Sequence, residues 1–215
     1  MRAPAPAAIS KRWGTWTVLF AACAASAHAD TLDTRGMAPH EQCAYCHGLD
    51  GNSVMARFPH LAGQSAAYLK KQLADFKQGR RTNDSGAMSG IAEALSDTEI
   101  ETIVRHFARQ VLRPRAADAE GDVVMGRRLY FSGKPGMAAC VSCHGTAKPA
   151  TAAAPRIGGQ HAAYLVKQLG DFRAGARRND AQGVMHAIAK SLSPAEVDAL
   201  SAFLASGPVM TGASR

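Results

Sequence analysis

Aromatic residues make up only 6% of this 215-residue chain, so little large apolar area is at hand to fill a core. Cysteine is scarce too: five, an odd number, too few for a disulfide scaffold. No apolar run reaches the roughly 20 residues that a spanning helix needs, and no stretch shows the alternation of a half-buried strand. A dense basic stripe is also missing. The formal charge is +8, but residues 1–29 hold Arg2, Lys11 and Arg12 and no acid, which leaves +5 for the remainder. That balance excludes a dedicated nucleic-acid binder. With 47% hydrophobic and 20% charged residues the chain is nevertheless globular, and its length suits one large domain or two small ones.

Residues 1–29 read as a secretory signal. Lys11 and Arg12 close a basic start, Trp13 to Ala25 are apolar, and Ala27-His28-Ala29 offers a small-x-small cleavage site before Asp30. Phe20-Ala21-Ala22-Cys23 loosely resembles a lipoprotein signal, with Phe20 a poor leading residue, so a lipid tether at Cys23 is the lesser alternative. Either route exports the chain and leaves four cysteines for chemistry.

The remainder is written twice. Pro59 to Asp84 lies over Pro155 to Asp180 at an offset of 96, with 16 of 26 positions identical. The shared skeleton runs Gly63-Gln64-x-Ala66-Ala67-Tyr68-Leu69, then Lys71-Gln72-Leu73-x-Asp75-Phe76, and recurs from Gly159 to Phe172. On either side the offset is 97: Cys43, Cys46 and His47 match Cys140, Cys143 and His144, and Met88, Leu95, Ser96 and Glu99 match Met185, Leu192, Ser193 and Glu196. Two homologous units follow, each the size of a small domain. We place the signal at 1–29, the units at 30–112 and 122–215, and a proline-bearing linker at 113–121.

Each unit reads as helical. Ser96-Asp97-Thr98-Glu99 is a capping box, followed by Ile100, Ile103, Val104 and Phe107 on one face. Ser193-Pro194-Ala195-Glu196 repeats it with a proline at the first helical position, ahead of Val197, Leu200, Phe203 and Leu204. An earlier helix carries Leu69, Leu73 and Phe76, or Leu165, Leu169 and Phe172. The expected fold class is all-α. Units this small and poor in aromatics need further core material.

Cys43-Ala44-Tyr45-Cys46-His47 and Cys140-Val141-Ser142-Cys143-His144 say what that material is. Two thiols on one helical turn can add to the two vinyl groups of a porphyrin, and the adjacent histidine presents a nitrogen to its iron; this is the haem c attachment motif. Four-coordinate zinc would need further Cys or His ligands in register, and a thioredoxin-like pair would need a βαβ context. Methionine is the usual second axial partner in electron-transfer cytochromes, where its soft sulfur raises the potential. Of Met37, Met55, Met88, Met125, Met137, Met185 and Met210, only Met88 and Met185 are equivalent, each 41 residues after its motif histidine in a polar loop containing glycine. The competing ligands His186 and His106 align with Ser89 and Phe203, so neither recurs.

Tandem Cys-x-x-Cys-His units, each followed by Pro-x-(Leu/Ile)-x-Gly-Gln-x-x-x-Tyr-Leu-x-x-Gln-Leu-x-x-Phe, a methionine and Ser-x-x-Glu, resemble the two-haem cytochrome c4 family over nearly all of the exported chain. The resemblance implies two tandem class I cytochrome c domains in the periplasm, taking electrons from a membrane cytochrome complex and passing them to a terminal oxidase. It also implies that the carbonyls of Pro59 and Pro155 accept hydrogen bonds from His47 and His144, orienting each imidazole. One departure stands out: Gly48-Leu49-Asp50-Gly51-Asn52 follows the first motif, whereas Gly145-Thr146-Ala147-Lys148-Pro149-Ala150 follows the second, so the two loops should differ in shape.

Irons held by His and Met on both faces have no open position for substrate, so the expectation is an electron carrier and not an enzyme. It would carry two covalent haem c groups with iron, work as a monomer, and touch membranes only peripherally. The alternatives are an electron-accepting subunit of a periplasmic dehydrogenase and a two-haem redox enzyme of the peroxidase or thiosulfate-oxidising type. Charge differs between the units, −1 over 30–112 and +6 over 122–215. Positive surroundings disfavour ferric haem, so the second haem should have the higher potential, and the basic unit should steer towards an acidic docking patch.

Overall fold

The structure, a computed structural model, describes residues 36–113, 121–146, 148–151 and 154–207. The expected signal 1–29 with Cys23, most of the expected linker 113–121, and Met210 lie outside the described residues. Extended pairing among the described residues is confined to one isolated bridge, Lys134 to Met137, and all else is helix and loop.

The first unit builds α1 (Ala44–His47), α2 (Ala66–Lys77), α3 (Ala87–Ala94) and α4 (Asp97–Ala108). The second builds α5 (Val123–Ser132), then α6 (Val141–His144), α7 (Ala162–Ala174), α8 (Val184–Ser191) and α9 (Pro194–Ala205), the last four repeating the first four. Both capping boxes are formed: the Ser96 and Ser193 hydroxyls accept from the N–H of Glu99 and Glu196, whose carboxylates reach back to the serine N–H. The periodic stripes are buried as expected. Leu69, Ile100, Ile103, Val104 and Phe107 form one core, and Leu165, Val197, Leu200, Phe203 and Leu204 lie in a second.

α9 is buried on more than its stripe, because α5 crosses it closely. Gly126 makes that crossing possible: a Cβ there would lie 2.0 Å from the Ala199 carbonyl oxygen. The stripe of α5, with Leu129 and Tyr130 in the core, is interrupted by this glycine, so the segment carries a weak helical signal.

Between the two cores lies a polar seam built from the repeated residues. The Gln160 side chain accepts from the His60 N–H at 2.9 Å and donates to the His60 carbonyl at 3.1 Å. Gln64 does the same to Arg156, at 2.8 and 2.9 Å. Arg81 donates to the Tyr164 hydroxyl and Gln168, while Arg177 donates to the Tyr68 hydroxyl and Gln72. Asn83 and Asn179 cross in the same reciprocal way to Gln168 and Gln72. Each of these contacts has a mirror contact between equivalent residues, the pattern of an isologous interface, here made within one chain by duplication.

Candidate functional site

Each motif sits on a single helical turn. Cys43 is the N-cap of α1, and Cys46 and His47 follow within it; Cys140, Cys143 and His144 are placed likewise on α6. The turn ends on Gly48 and Gly145, both at positive φ, where a Cβ would strike the carbonyl oxygen of Asn52 at 2.8 Å or of Lys148 at 1.8 Å. None of the four cysteines is in a disulfide. Burial pushes the Cys43 and Cys140 thiols up to about 11, so neither is the low-pKa nucleophile of a dithiol redox pair. Among the described residues no group of three or more His, Cys, Asp or Glu could hold a metal ion, so the zinc alternative finds no ligand set there.

The motif histidines are oriented identically. His47 Nδ1 lies 2.9 Å from the Pro59 carbonyl oxygen and His144 Nδ1 lies 2.9 Å from that of Pro155. A carbonyl only accepts, so Nδ1 carries the proton and Nε2 keeps its lone pair. Among the described residues neither Nε2 has a hydrogen-bond partner. Burial holds both imidazoles below their usual pKa, opposed by the proline carbonyls, which keeps them in the neutral form a metal requires.

Met88 and Met185 are not in loops. Each is the second residue of a short helix, α3 or α8, whose N-cap is a glycine in the left-handed conformation, Gly86 or Gly183. An aspartate in register holds that first turn: Asp84 accepts from the Ser89 N–H at 2.8 Å, and Asp180 from the Met185 N–H at 2.7 Å. Asp84 and Asp180 end the block of repeated sequence, which was the available signal for them. Both methionines are half-buried and belong to neither core, whereas Met137 lies in the second core and Met125 packs against it. Of the competing histidines, His186 Nδ1 donates to the Phe172 carbonyl at 2.6 Å, and His106 Nε2 donates to the Leu49 carbonyl at 3.0 Å.

The loops after the motifs differ, as the sequence suggests. In the first, the Ser53 hydroxyl donates to the Cys46 carbonyl at 2.8 Å, and Gly51 packs against Ala62 and Phe107. In the second, the Ala150 N–H meets the Cys143 carbonyl at 2.9 Å and the Tyr130 hydroxyl holds the Gly145 carbonyl.

The seam supplies a further test of fit. Arg81 and Arg177 are 6% and 5% exposed, lie over Phe76 and Phe172, and among the described residues have no carboxylate partner. Burial alone would raise the Tyr68 phenol, yet Arg177 and Arg81 beside it bring it below its usual value. Each guanidinium is hydrogen-bonded to amide and phenol oxygens but has no negative partner among the described residues, and the carboxylates of a haem would suit such a buried cation. Paired thiols on one turn, an imidazole with a free Nε2 and a buried cation, present twice, fit haem c.

A cytochrome c family model matches residues 35–108 and 124–208. The cytochrome c4 of Pseudomonas aeruginosa is 42% identical over 183 residues, 83% of this chain and 90% of that protein. This chain belongs to the cytochrome c4 family. The crystal structure of reduced recombinant cytochrome c4 from Pseudomonas stutzeri superposes with a TM-score of 0.69 at 37% identity, covering 80% of this chain and 97% of that one. A thiosulfate dehydrogenase electron acceptor of Stutzerimonas stutzeri is 38% identical over 169 residues, 76% of this chain and 77% of that protein. As a cytochrome c4, the chain is a tandem pair of cytochrome c domains that binds two haem c groups, a member of a family of two-haem electron carriers.

Proposed function

We propose that this cytochrome c4 is a periplasmic shuttle, not an enzyme, passing single electrons from a membrane cytochrome complex to a terminal oxidase. The observation that carries the reading is the matched constellation of each half. Cys43 and Cys46 would hold the first haem, with His47 and Met88 as ligands to its iron; Cys140 and Cys143 would hold the second, with His144 and Met185. Haem iron, when bound, supplies a one-electron couple between Fe(II) and Fe(III).

The chain's own residues keep that couple simple. Pro59 and Pro155 fix the imidazole planes and increase donor strength at Nε2. Asp84 and Asp180 hold the turns that carry the methionines, which would fix where each thioether is presented. Arg81 and Arg177 would supply positive charge towards the haem carboxylates. Two protein ligands to each iron would leave no position for a substrate.

In this reading, residues 1–29 are removed on export, a tether at Cys23 being the lesser alternative, and 113–121 joins domains 30–112 and 122–215. The protein works as a monomer with at most peripheral membrane contact; among the described residues no helix is long and apolar enough to cross one. The +6 second unit carries the haem of higher potential and meets an acidic patch on the partner. A second reading, an electron-accepting subunit of a periplasmic dehydrogenase, is favoured by the similarity to the thiosulfate dehydrogenase electron acceptor.

The test is the near-infrared band of methionine bound to ferric haem. Wild type should show it at both haems, and Met88→Ala and Met185→Ala should each remove half. Each variant should also lower one midpoint potential by a few tenths of a volt, within the ~0.8 V that axial ligands span. Full band intensity in either variant, or tight cyanide binding by wild type, would overturn the ligand assignment. Co-purification of a dehydrogenase with the native protein would favour the second reading.

A further inference from the structure

We propose that the first half, and it alone, couples its redox change to proton uptake, through two stacked histidine pairs that grip the loop between His47 and Pro59. The proposal rests on the reading of His47 and Met88 as ligands of the first haem. Of the six described histidines outside the second motif, one is His47 and four form these pairs. His40 stacks on His106 with centroids 3.8 Å apart and planes 17° from parallel. His60 stacks on His161 at 4.0 Å and 26°.

Each pair holds one carbonyl of the same loop. His106 Nε2 donates to the Leu49 oxygen at 3.0 Å, and His161 Nε2 to the Ser53 oxygen at 3.0 Å. The loop starts at the axial histidine and ends at Pro59, whose carbonyl fixes that histidine and whose chain neighbour is His60. The outer members of the pairs have nitrogens to spare: His40 Nδ1 and His60 Nδ1 are buried without a hydrogen-bond partner. A proton taken up there has no acceptor waiting and places a positive charge against the loop and the stacked ring.

The charged groups around the pairs are few. Glu41 stands beside His40 and Asp50 acts on His60, the latter already paired with Arg113 at 3.1 Å. On α4, Arg105 and Arg109 flank His106 in sequence, and Arg57 lies on the gripped loop. Gln110 and Gln160, which touch the pairs, are neutral. Burial, then His161, holds His60 down to about 4 against the pull of Asp50. Burial, then His106, holds His40 below its usual 6.5 against Glu41.

The second half has nothing of the kind. At the equivalent positions His40 becomes Met137, His106 becomes Phe203, His60 becomes Arg156 and His161 becomes Ser65. Its loop is held instead by the Ala150 N–H and by the Tyr130 hydroxyl, whose phenol burial pushes up to about 12. Neither titrates near neutrality.

The sign follows from charge. A proton on either pair disfavours the ferric state, which carries one more positive charge, so it raises the potential. By reciprocity, reduction raises the proton affinity of the pairs. The electron comes from the redox donor, the proton from solvent onto an imidazole nitrogen, and no other bond changes. The potential of the first haem therefore falls as pH rises through the acid side of 6.5, and that of the second stays level.

The experiment is a spectroelectrochemical titration of the two-haem protein from pH 3.5 to 8, with Met88→His to mark the first-half wave by displacing it. One wave should fall by an amount equivalent to about a threefold change in equilibrium constant, or roughly 30 mV at ~59 mV per tenfold for one electron. His40→Met/His106→Phe and, separately, His60→Arg install the residues of the second half, and each should lessen the slope. Wild-type protein, with no substitution, should take up protons from weak buffer on reduction below pH 6.5. Two level waves, equal slopes in both, a slope confined to the unmarked wave, or an unchanged slope in both variants would overturn the proposal. If Met88→His displaces neither wave, the ligand assignment has failed; the pH coupling is then judged on the histidine variants and proton uptake alone.

Discussion

The two halves share one scaffold and differ in how they secure it. The motif loop of the first is gripped by its own His106 and Ser53 hydroxyl and by His161 of the second, and its core closes around Phe107. The second packs α5 against α9 through Gly126 and holds its loop with Tyr130 and the Ala150 N–H. Yet the parts nearest the proposed irons are the same: proline carbonyl to imidazole at 2.9 Å in both, methionine second on a matched short helix in both. Duplication has kept the groups that set the chemistry and let their supports diverge, which is how one chain can hold two similar redox centres with different surroundings.

That comparison can be broken most severely at the thioethers. Cys43→Ser/Cys46→Ser and Cys140→Ser/Cys143→Ser should each leave one haem per chain in place of two, read by pyridine haemochrome and intact mass. Two haems retained in either variant would remove the assignment. Next in size is Gly126→Ala, which drives a methyl group into the Ala199 carbonyl and should cost about 3 kcal/mol. Denaturation should show the loss in the second half's transition, because the first half's core has no part in that crossing.

The seam offers a finer comparison. Gln160→Ala and Gln64→Ala each remove two hydrogen bonds to the backbone of the other half, costing about 1–3 kcal/mol. The Gln160 contacts to His60 are fully buried and the Gln64 contacts to Arg156 only partly so, hence Gln160→Ala should be the more damaging. Equal losses would mean the seam is energetically symmetric despite its unequal burial. Smallest are the caps: Ser96→Ala and Ser193→Ala should each cost about 1 kcal/mol and match one another, since both capping boxes are complete and exposed.

Much of the candidate site was legible because its constraints are local. Covalent attachment to one porphyrin would require two thiols and an imidazole on one turn, and Cys43, Cys46 and His47, readable as a string, do share one. Met88 was visible only through its double at Met185, and the helix that carries it was not, because Gly86 and Gly183 read as loop residues while serving as left-handed N-caps. α5 escaped for a related reason: Gly126 weakens the helical pattern in order to permit a close crossing. The roles of Gln64, Tyr68, Gln72 and Arg81 were hidden although all four recur, since each answers a partner roughly a hundred positions away.

By itself the sequence determined the duplication, the helical class, the cofactor and the two Cys-x-x-Cys-His turns, all of which are written in spacings of a few residues or in an offset repeated along the chain. Only the tertiary structure decided which repeated polar residues face each other across the seam, which methionines stay out of the cores, and which histidines stack. Those depend on where the backbone brings distant segments together, and burial and pairing, unlike covalent spacing, leave no periodic trace in the order of residues.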